Sequence, residues 1–151
     1  MNPTSENVLA ASIPHHVAPP GRFRILLVDD DVQARELNAS GLINFGYRVD
    51  TAPDGATAWK ALQDVRYDLL ITDTDNRMPR VTGLELIKQL RAENGTLPVI
   101  LASGTVPAEE LKRHPWLQLD ATLPKPFTIS QLLDTVKTVL STVTDPAIYE
   151  E

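Results

Sequence analysis

The sequence predicts an α/β fold in which five strands form a parallel sheet covered by five helices. Five short apolar runs alternate with segments in which apolar residues recur at helical spacing. The runs are continuously apolar, which is typical of parallel strands buried on both faces. The chain has 151 residues, of which 42% are hydrophobic and 23% charged, and these values fit one soluble globular domain.

The first half of the pattern contains three strands and two helices. The strands are expected at residues 23–28, 47–52 and 69–72. The first helix ends at Gly46, and the apolar side chains near one of its faces are Ala34, Leu37, Leu42 and Phe45. A turn at Asp54-Gly55 precedes a second helix at residues 56–64.

The third and fourth units follow the same order of strand and helix. Thr82 and Glu85 have the spacing of a capping box, which predicts the start of the third helix. A fourth strand is expected at residues 98–102. Pro107 suits the first turn of the helix that follows this strand.

The last unit has a weaker strand and a strongly patterned helix. The fifth strand is expected at residues 117–123. Thr128 and Gln131 form a second capping box, and the apolar residues after them recur at helical spacing. We therefore expect the last helix to pack one apolar face on the sheet.

Two short segments flank the predicted domain. Residues 1–21 contain four prolines and show little periodicity, so we predict a flexible leader there. The domain itself is expected at residues 22–144, and residues 145–151 form a short polar tail. No second domain is expected after the last helix, so any output should depend on contacts with another protein.

Composition excludes several classes of function. The net charge of −6 argues against unaided binding of nucleic acid, which needs a basic face. The chain has no cysteine, which excludes disulfides and thiol catalysis. No apolar run approaches the roughly 18 residues that span a bilayer, and the start lacks the features of a signal peptide. We therefore expect a cytoplasmic protein without membrane or nucleic-acid partners.

Acidic residues stand at the ends of two predicted strands. Asp29 and Asp30 follow the first strand, and Asp73 and Asp75 follow the third. Ligands of parallel sheets bind beyond the carboxyl ends of the strands, so these side chains should meet at one edge. Carboxylates at one edge repel one another unless a cation joins them. Hard oxygen ligands of this kind suit Mg²⁺.

A hydroxyl and an ammonium are expected at the same edge. Ser103 ends the fourth strand, and Lys125 follows the fifth, directly before Pro126. Such groups beside a metal ion can hold phosphate oxygens. The combination of metal ligands, a carboxylate nucleophile and fixed donors predicts phosphoryl transfer.

Four motifs in this order resemble the receiver domains of response regulators in bacterial two-component systems. They are ILLVDDD, the third-strand aspartate followed by MPRVTG, the strand-end Ser103, and LPKPF. The resemblance covers about residues 23–143 and implies a flavodoxin-like, doubly wound sheet of order 2-1-3-4-5. It also implies Mg²⁺-dependent transfer from a phosphohistidine to an aspartate. The expected partners are a sensor histidine kinase or a phosphotransfer protein, and the downstream protein target is unknown.

The resemblance also implies a role for each matching residue. Asp29 and Asp30 match the acidic pair, with Asp30 as the more direct metal ligand. Ser103 matches the hydroxyl that accompanies the phosphate, and Lys125 matches the lysine that pairs with the phosphoryl group. The bond between Lys125 and Pro126 is expected to be cis. We expect a phosphoacceptor with at most slow self-dephosphorylation, not an enzyme with turnover.

The chain departs from the family pattern after the third strand. Asp75 has the usual D-x-x-M-P-x-x-x-G spacing to Gly83, whereas Asp73 lies two residues too early for it. Asp73 nevertheless lies 18 positions after Gly55, the count typical of receivers. We predict Asp73 as the acceptor and Asp75 as the alternative, because a carboxylate two places back in a buried strand would be costly. Asp75 would then reach the metal through its backbone or its side chain.

A second departure is at Thr122, three residues before the lysine. Receivers often carry Tyr or Phe there, and that ring moves on activation. The small side chain of Thr122 makes an aromatic switch doubtful in this chain.

Two other functions compete with a receiver. Asp73 and Asp75 form a D-x-D at a strand end, as in haloacid-dehalogenase-like phosphatases, which also form an aspartyl phosphate. In those enzymes the D-x-D normally follows the first strand. Here it follows the third strand, and the acidic pair Asp29 and Asp30 comes before it in the chain. A pseudo-receiver that only binds partners is the third alternative, and the irregular spacing after the third strand is the feature that favours it.

Overall fold

Five parallel strands form one sheet in the computed structural model, which describes residues 19–73, 82–93, 95–104, 112–113 and 115–142. The strands are β1 Arg24–Val28, β2 Arg48–Ala52, β3 Leu69–Asp73, β4 Val99–Ser103 and β5 Ala121–Pro124. They pair in the order β2-β1-β3-β4-β5, and every neighbouring pair is parallel. This is the doubly wound order that the resemblance implied, so the predicted sheet is confirmed.

Four α-helices lie within the described residues. They are α1 Val32–Phe45, α2 Gly55–Asp64, α3 Gly83–Ala92 and α4 Ile129–Leu140. Five helices were predicted, and most of the one expected to begin at Pro107 lies outside the described residues, although residues 112–113 are helical. None of the helices in the part of the chain that the structure describes is long and apolar enough to cross a membrane.

Side-chain caps determine where the helices begin. Asp31 accepts hydrogen bonds from the backbone N–H groups of Gln33 and Ala34 at the start of α1. At α4 both bonds of the capping box between Thr128 and Gln131 are present. These caps satisfy N–H groups that have no partner inside the helix. The predicted start of α4 is therefore confirmed.

The core has two layers because successive strand residues point to opposite faces of the sheet. Ile25 and Leu27 face α1 and α4, where they join one buried cluster. Leu26 and Val28 face α2 and α3 and join the other. All four side chains are at most 3% exposed. Burial on both faces explains why the strand is continuously apolar.

The predicted apolar face of α1 is wrong for two of its four residues. Leu37 is 63% exposed and Phe45 is 39% exposed. The buried residues of the helix are Asn38, Ala39 and Leu42. Leu37 and Leu42 are five residues apart, so at about 100° per residue they point about 140° away from each other. The prediction failed because the inward positions hold a polar and a small residue, while larger apolar side chains lie outside.

Gly46 ends α1 in a conformation that favours glycine. Its φ is 121°, and its N–H donates to the carbonyls of Leu42 and Ile43. A residue with a side chain would be strained in this position. The turn leads directly into β2, as the sequence predicted.

Candidate functional site

The candidate site lies at the carboxyl edge of the sheet, where four strands end next to one another. Asp29 directly follows β1, and Asp73 is the last residue of β3. Ser103 ends β4, and Lys125 directly follows β5. The backbone N–H of Lys125 donates to the carbonyl of Ser103 at 2.8 Å. The parallel register therefore brings together residues that are far apart in the sequence.

Three carboxylates form a cluster at this edge. One carboxylate oxygen from each of Asp29, Asp30 and Asp73 lies within 4.8 Å of the others. Asp29 and Asp73 are buried, at 5% and 2% exposure, whereas Asp30 is half-buried. Mg²⁺ binds oxygens at about 2.0–2.1 Å, so two oxygens on opposite sides of the ion are about 4.2 Å apart. The chemistry of these donors fits a magnesium ion with water as the remaining ligands, and oxygens as far apart as 4.8 Å would have to move slightly closer to share it.

Lys125 links two of these carboxylates. Its Nζ atom lies 2.5 Å from Oδ2 of Asp73 and 4.0 Å from Oδ2 of Asp29. The Lys125–Pro126 peptide bond is cis, the geometry that the resemblance implied. An ammonium held against two buried acids is also placed to contact a phosphoryl group on either of them.

The carboxyl of Asp29 is in surroundings that disfavour its charge. Burial raises its pKa above the usual value, and the neighbouring carboxylates of Asp73 and Asp30 act in the same direction. The Asp31 N–H and the Lys125 ammonium lower the pKa but do not cancel the effect of burial. A cation bound at this edge would remove much of the repulsion.

Three hydrogen bonds hold Asp29 in place. Its N–H donates to the carbonyl of Ala52 at 3.1 Å, which extends the ladder between β1 and β2. Its Oδ1 accepts from the N–H of Asp31 at 3.0 Å. Its carbonyl accepts from Nη1 of Arg35 at 2.8 Å. The acidic pair is therefore fixed by the first turn of α1 as well as by the sheet.

Two predicted residues lie apart from this cluster or outside the described residues. Thr122 is exposed on β5, where it pairs with Leu101 of β4. Asp75 belongs to residues 74–81, which lie outside the described part of the chain. Its expected role as the alternative acceptor or as a metal ligand stays a prediction.

Comparison with known proteins identifies the family. A family model described as the response regulator receiver domain matches residues 25–137. The chain belongs to this family. Among curated proteins, the probable transcriptional regulatory protein SilR of Salmonella typhimurium is 34% identical over 118 residues, and response regulator MprA of Mycobacterium ulcerans is 36% identical over 117. Each match covers 78% of this chain but 51% and 50% of those proteins, so the receiver domain spans about half of their length.

Solved structures of receivers have the same architecture. The chemotaxis protein CheY4 of Vibrio cholerae is 30% identical, with a TM-score of 0.71. The response regulator TrrA of Thermotoga maritima, solved in complex with Mg²⁺-BeF, is 32% identical, with a TM-score of 0.68. Both matches cover 78% of this chain and 98% of the other chain. The likeness thus extends over a whole receiver domain in each case.

Arg35 of this receiver domain was not among the residues predicted for the site. No spacing rule identifies a side chain whose partner is a backbone carbonyl. The available signal was a basic residue one turn into α1, directly after an acidic strand end. That signal is weak, because most arginines at such positions are solvated.

Proposed function

We propose that this receiver domain accepts a phosphoryl group on the carboxylate of Asp73, with Mg²⁺ held by Asp29, Asp30 and Asp73. The donor is the phosphohistidine of a sensor histidine kinase or of a phosphotransfer protein. The observation that carries the proposal is the buried Asp73 carboxylate, 2.5 Å from Nζ of Lys125 and within a cluster of three acids. Phosphoryl transfer depends mainly on positioning and charge stabilisation, and these groups supply both.

Each residue of the site has a defined task in this reaction. A carboxylate oxygen of Asp73 attacks the phosphorus, the P–N bond to the donor imidazole breaks, and the imidazole nitrogen keeps the bonding electron pair. Bound Mg²⁺ would supply positive charge to the phosphoryl oxygens. The ammonium of Lys125 and the hydroxyl of Ser103 donate hydrogen bonds to the same oxygens. The product is an aspartyl phosphate held at the edge of the sheet.

Strand register supports Asp73 over Asp75 as the acceptor. Thr72 of β3 pairs with Val28 of β1, so Asp73 and Asp29 leave the two strands at the same level. If Asp75 occupied that level, Asp73 would move two places back into the buried part of the strand, at a cost of several kcal/mol. Two extra loop residues after Asp73 cost much less. Asp75 remains the alternative acceptor and an additional metal ligand.

The chemistry of the donor set supports magnesium. Three carboxylate oxygens within 4.8 Å are hard ligands with an excess of negative charge. The complex of the Thermotoga maritima relative with Mg²⁺-BeF points in the same direction. The ion would remain partly hydrated, because Asp30 is half-buried rather than enclosed.

Phosphorylation would be transmitted through Lys125 and Ser103. The phosphoryl group adds a charge of about −1.5 to −2. Movement of these two side chains toward it would shift a pre-existing equilibrium on the output face, which we define as β5, α4 and the helix predicted between β4 and β5. Thr122 is exposed on this face, and its small side chain allows a response without a large ring rotation. The output of this face is a contact with another protein.

Intact-mass measurement after incubation with acetyl phosphate and Mg²⁺ tests the proposal. We expect the mass to increase by one phosphoryl group per chain, and the increase to be lost when Mg²⁺ is chelated. Steady hydrolysis of phosphate esters without a labelled chain would support the phosphatase alternative. A chain that binds no Mg²⁺ and gains no mass would support the pseudo-receiver.

A further inference from the structure

Arg35 holds the peptide unit that joins two of the candidate metal ligands. It is the fourth residue of α1, and its half-buried guanidinium donates from Nη1 to the carbonyl of Asp29 at 2.8 Å. That carbonyl belongs to the peptide unit between Asp29 and Asp30. A hydrogen bond from a charged donor is stronger than one between neutral groups.

The orientation of this peptide unit determines where Asp30 points. The atoms from one Cα to the next lie in one plane, so a rotation that moves the Asp29 carbonyl also moves the N–H and Cα of Asp30. The other polar groups of Asp29 are held by the N–H of Asp31 and the carbonyl of Ala52. The bond from Asp31 closes a turn that contains this peptide unit, and the bond from Arg35 is the one that holds its carbonyl directly.

We propose that Arg35 is a positioning residue that fixes the carboxylate of Asp30 relative to that of Asp29 for binding Mg²⁺. The inference rests on the proposed function, because it assumes that these two acids hold the ion. Arg35 touches neither the ion nor the phosphoryl group in this account. It acts through the backbone of Asp29.

Loss of the charge of Arg35 and loss of its hydrogen bond should change the Mg²⁺ affinity in opposite directions. A positive guanidinium near a cation site repels Mg²⁺, so loss of the charge alone should tighten Mg²⁺ binding. Loss of the hydrogen bond should weaken binding, because the two carboxylates are no longer held in one arrangement. Removal of a group that orients metal ligands typically lowers metal affinity by about 10–100-fold. The sign of the change therefore separates the two explanations.

Three variants of the full chain test the inference: Arg35→Met, Arg35→Lys and the control Arg48→Met. Arg48 is exposed at the start of β2, at the opposite end of the sheet, so its replacement removes the same charge without touching the site. The dissociation constant for Mg²⁺ is measured by NMR titration. Hydrogen exchange of the Asp31 amide is measured on the metal-free proteins.

We expect Arg35→Met to weaken Mg²⁺ binding on the order of tenfold and to speed exchange of the Asp31 amide. Arg35→Lys keeps a cationic donor and should recover part of the affinity. Arg48→Met should match the wild type in both measurements. Thermal melting of each variant shows whether a loss of affinity merely follows a loss of stability.

Two results would overturn the inference, and they are distinguishable from a failure of the proposed function. If the wild type is phosphorylated and Arg35→Met binds Mg²⁺ as tightly as the wild type or more tightly, only the proposed role of Arg35 is refuted. The role of Arg35 is also refuted if Arg35→Met binds Mg²⁺ more weakly and Arg35→Lys recovers none of the lost affinity. A wild type that neither binds Mg²⁺ nor accepts phosphate removes the proposed function, and the role of Arg35 with it.

Discussion

Asp29 lowers the stability of the folded protein at neutral pH because its carboxyl is buried at the candidate metal site. Its side chain is 5% exposed, and burial raises its pKa above the usual 3.8. The folded chain therefore binds more protons than the unfolded chain as the pH rises from 3.8 toward the folded-state pKa. Stability falls through that window and stays reduced at neutral pH. Metal binding at neutral pH would recover this loss.

Asp29→Asn should therefore stabilise the protein without metal at pH 7. The amide removes the buried charge while its oxygen can still accept from the N–H of Asp31. We expect the melting temperature to rise by about 2–4 °C, and the rise to disappear near pH 3, where the wild-type carboxyl is protonated. Added Mg²⁺ should stabilise the wild type but not the variant. Calorimetry in EDTA and in Mg²⁺ measures both effects, and a less stable variant in EDTA at pH 7 would contradict this account.

At the scale of elements, α1 shows which helix positions carry stability. Leu42 is fully buried against the sheet, and Leu37 is 63% exposed on the same helix. Leu42→Ala should cost about 2–5 kcal/mol of unfolding free energy, because it leaves a cavity in the core. Leu37→Ala is the matched control and should change stability by less than about 0.5 kcal/mol. Urea unfolding of both variants measures this, and equal losses would show that the helix is oriented differently.

The same helix shows where sequence reasoning succeeds and where it stops. The strands and two of the capped helix starts were predictable, because continuous apolar runs and the caps at Thr82 and Thr128 are local signals. The inward face of α1 was not, because Asn38 and Ala39 are buried there, whereas the apolar pattern had placed Leu37 and Phe45 inward. The contact between Arg35 and a backbone carbonyl leaves no pattern in the sequence at all.

The junction between β3 and α3 depends on a glycine. A Cβ added at Gly83 would lie 2.8 Å from the carbonyl carbon of Asp73 and closer still to its oxygen. The first residue of α3 is therefore in contact with the backbone of the proposed acceptor.

Gly83→Ala should displace the end of β3 and lower both stability and Mg²⁺ affinity. Overpacking of this kind typically costs about 1–3 kcal/mol. Gly104→Ala is the matched control, because an added Cβ there meets nothing within 4 Å. Urea unfolding and Mg²⁺ titration of the two variants provide the comparison. A Gly83→Ala protein with wild-type stability and Mg²⁺ affinity would show that the contact with Asp73 is unimportant.

At the scale of the whole molecule, acidic side chains have different neighbours at the amino and carboxyl edges of the sheet. Near the amino edge, Asp50 accepts hydrogen bonds from Arg24 at 3.0 Å and from the hydroxyl of Tyr67 at 2.6 Å. Burial, followed by this hydrogen bond, raises the pKa of Tyr67 to about 12. At the carboxyl edge three carboxylates meet instead. Asp50 is therefore paired with side chains of the same domain, whereas the three carboxylates at the carboxyl edge form the proposed cation site.

The coupling between the site and the output face depends on Lys125 in this account. Lys125→Ala should still accept phosphate from acetyl phosphate, because Asp73 remains the nucleophile. Its amide NMR shifts on β5 and α4 should change far less on phosphorylation than those of the wild type, since the ammonium no longer follows the phosphoryl group. Ser103→Ala provides a second test of the same coupling. A full wild-type response in a phosphorylated Lys125→Ala protein would refute the mechanism.

The central claim is that Asp73 accepts the phosphoryl group, and site-specific replacement tests it most directly. The wild type, Asp73→Asn and Asp75→Asn are incubated with acetyl phosphate and Mg²⁺, and their intact masses are compared. We predict a gain of one phosphoryl group in the wild type and in Asp75→Asn, and none in Asp73→Asn. Label retained in Asp73→Asn and lost in Asp75→Asn would contradict the account and would place the acceptor two residues further along the chain.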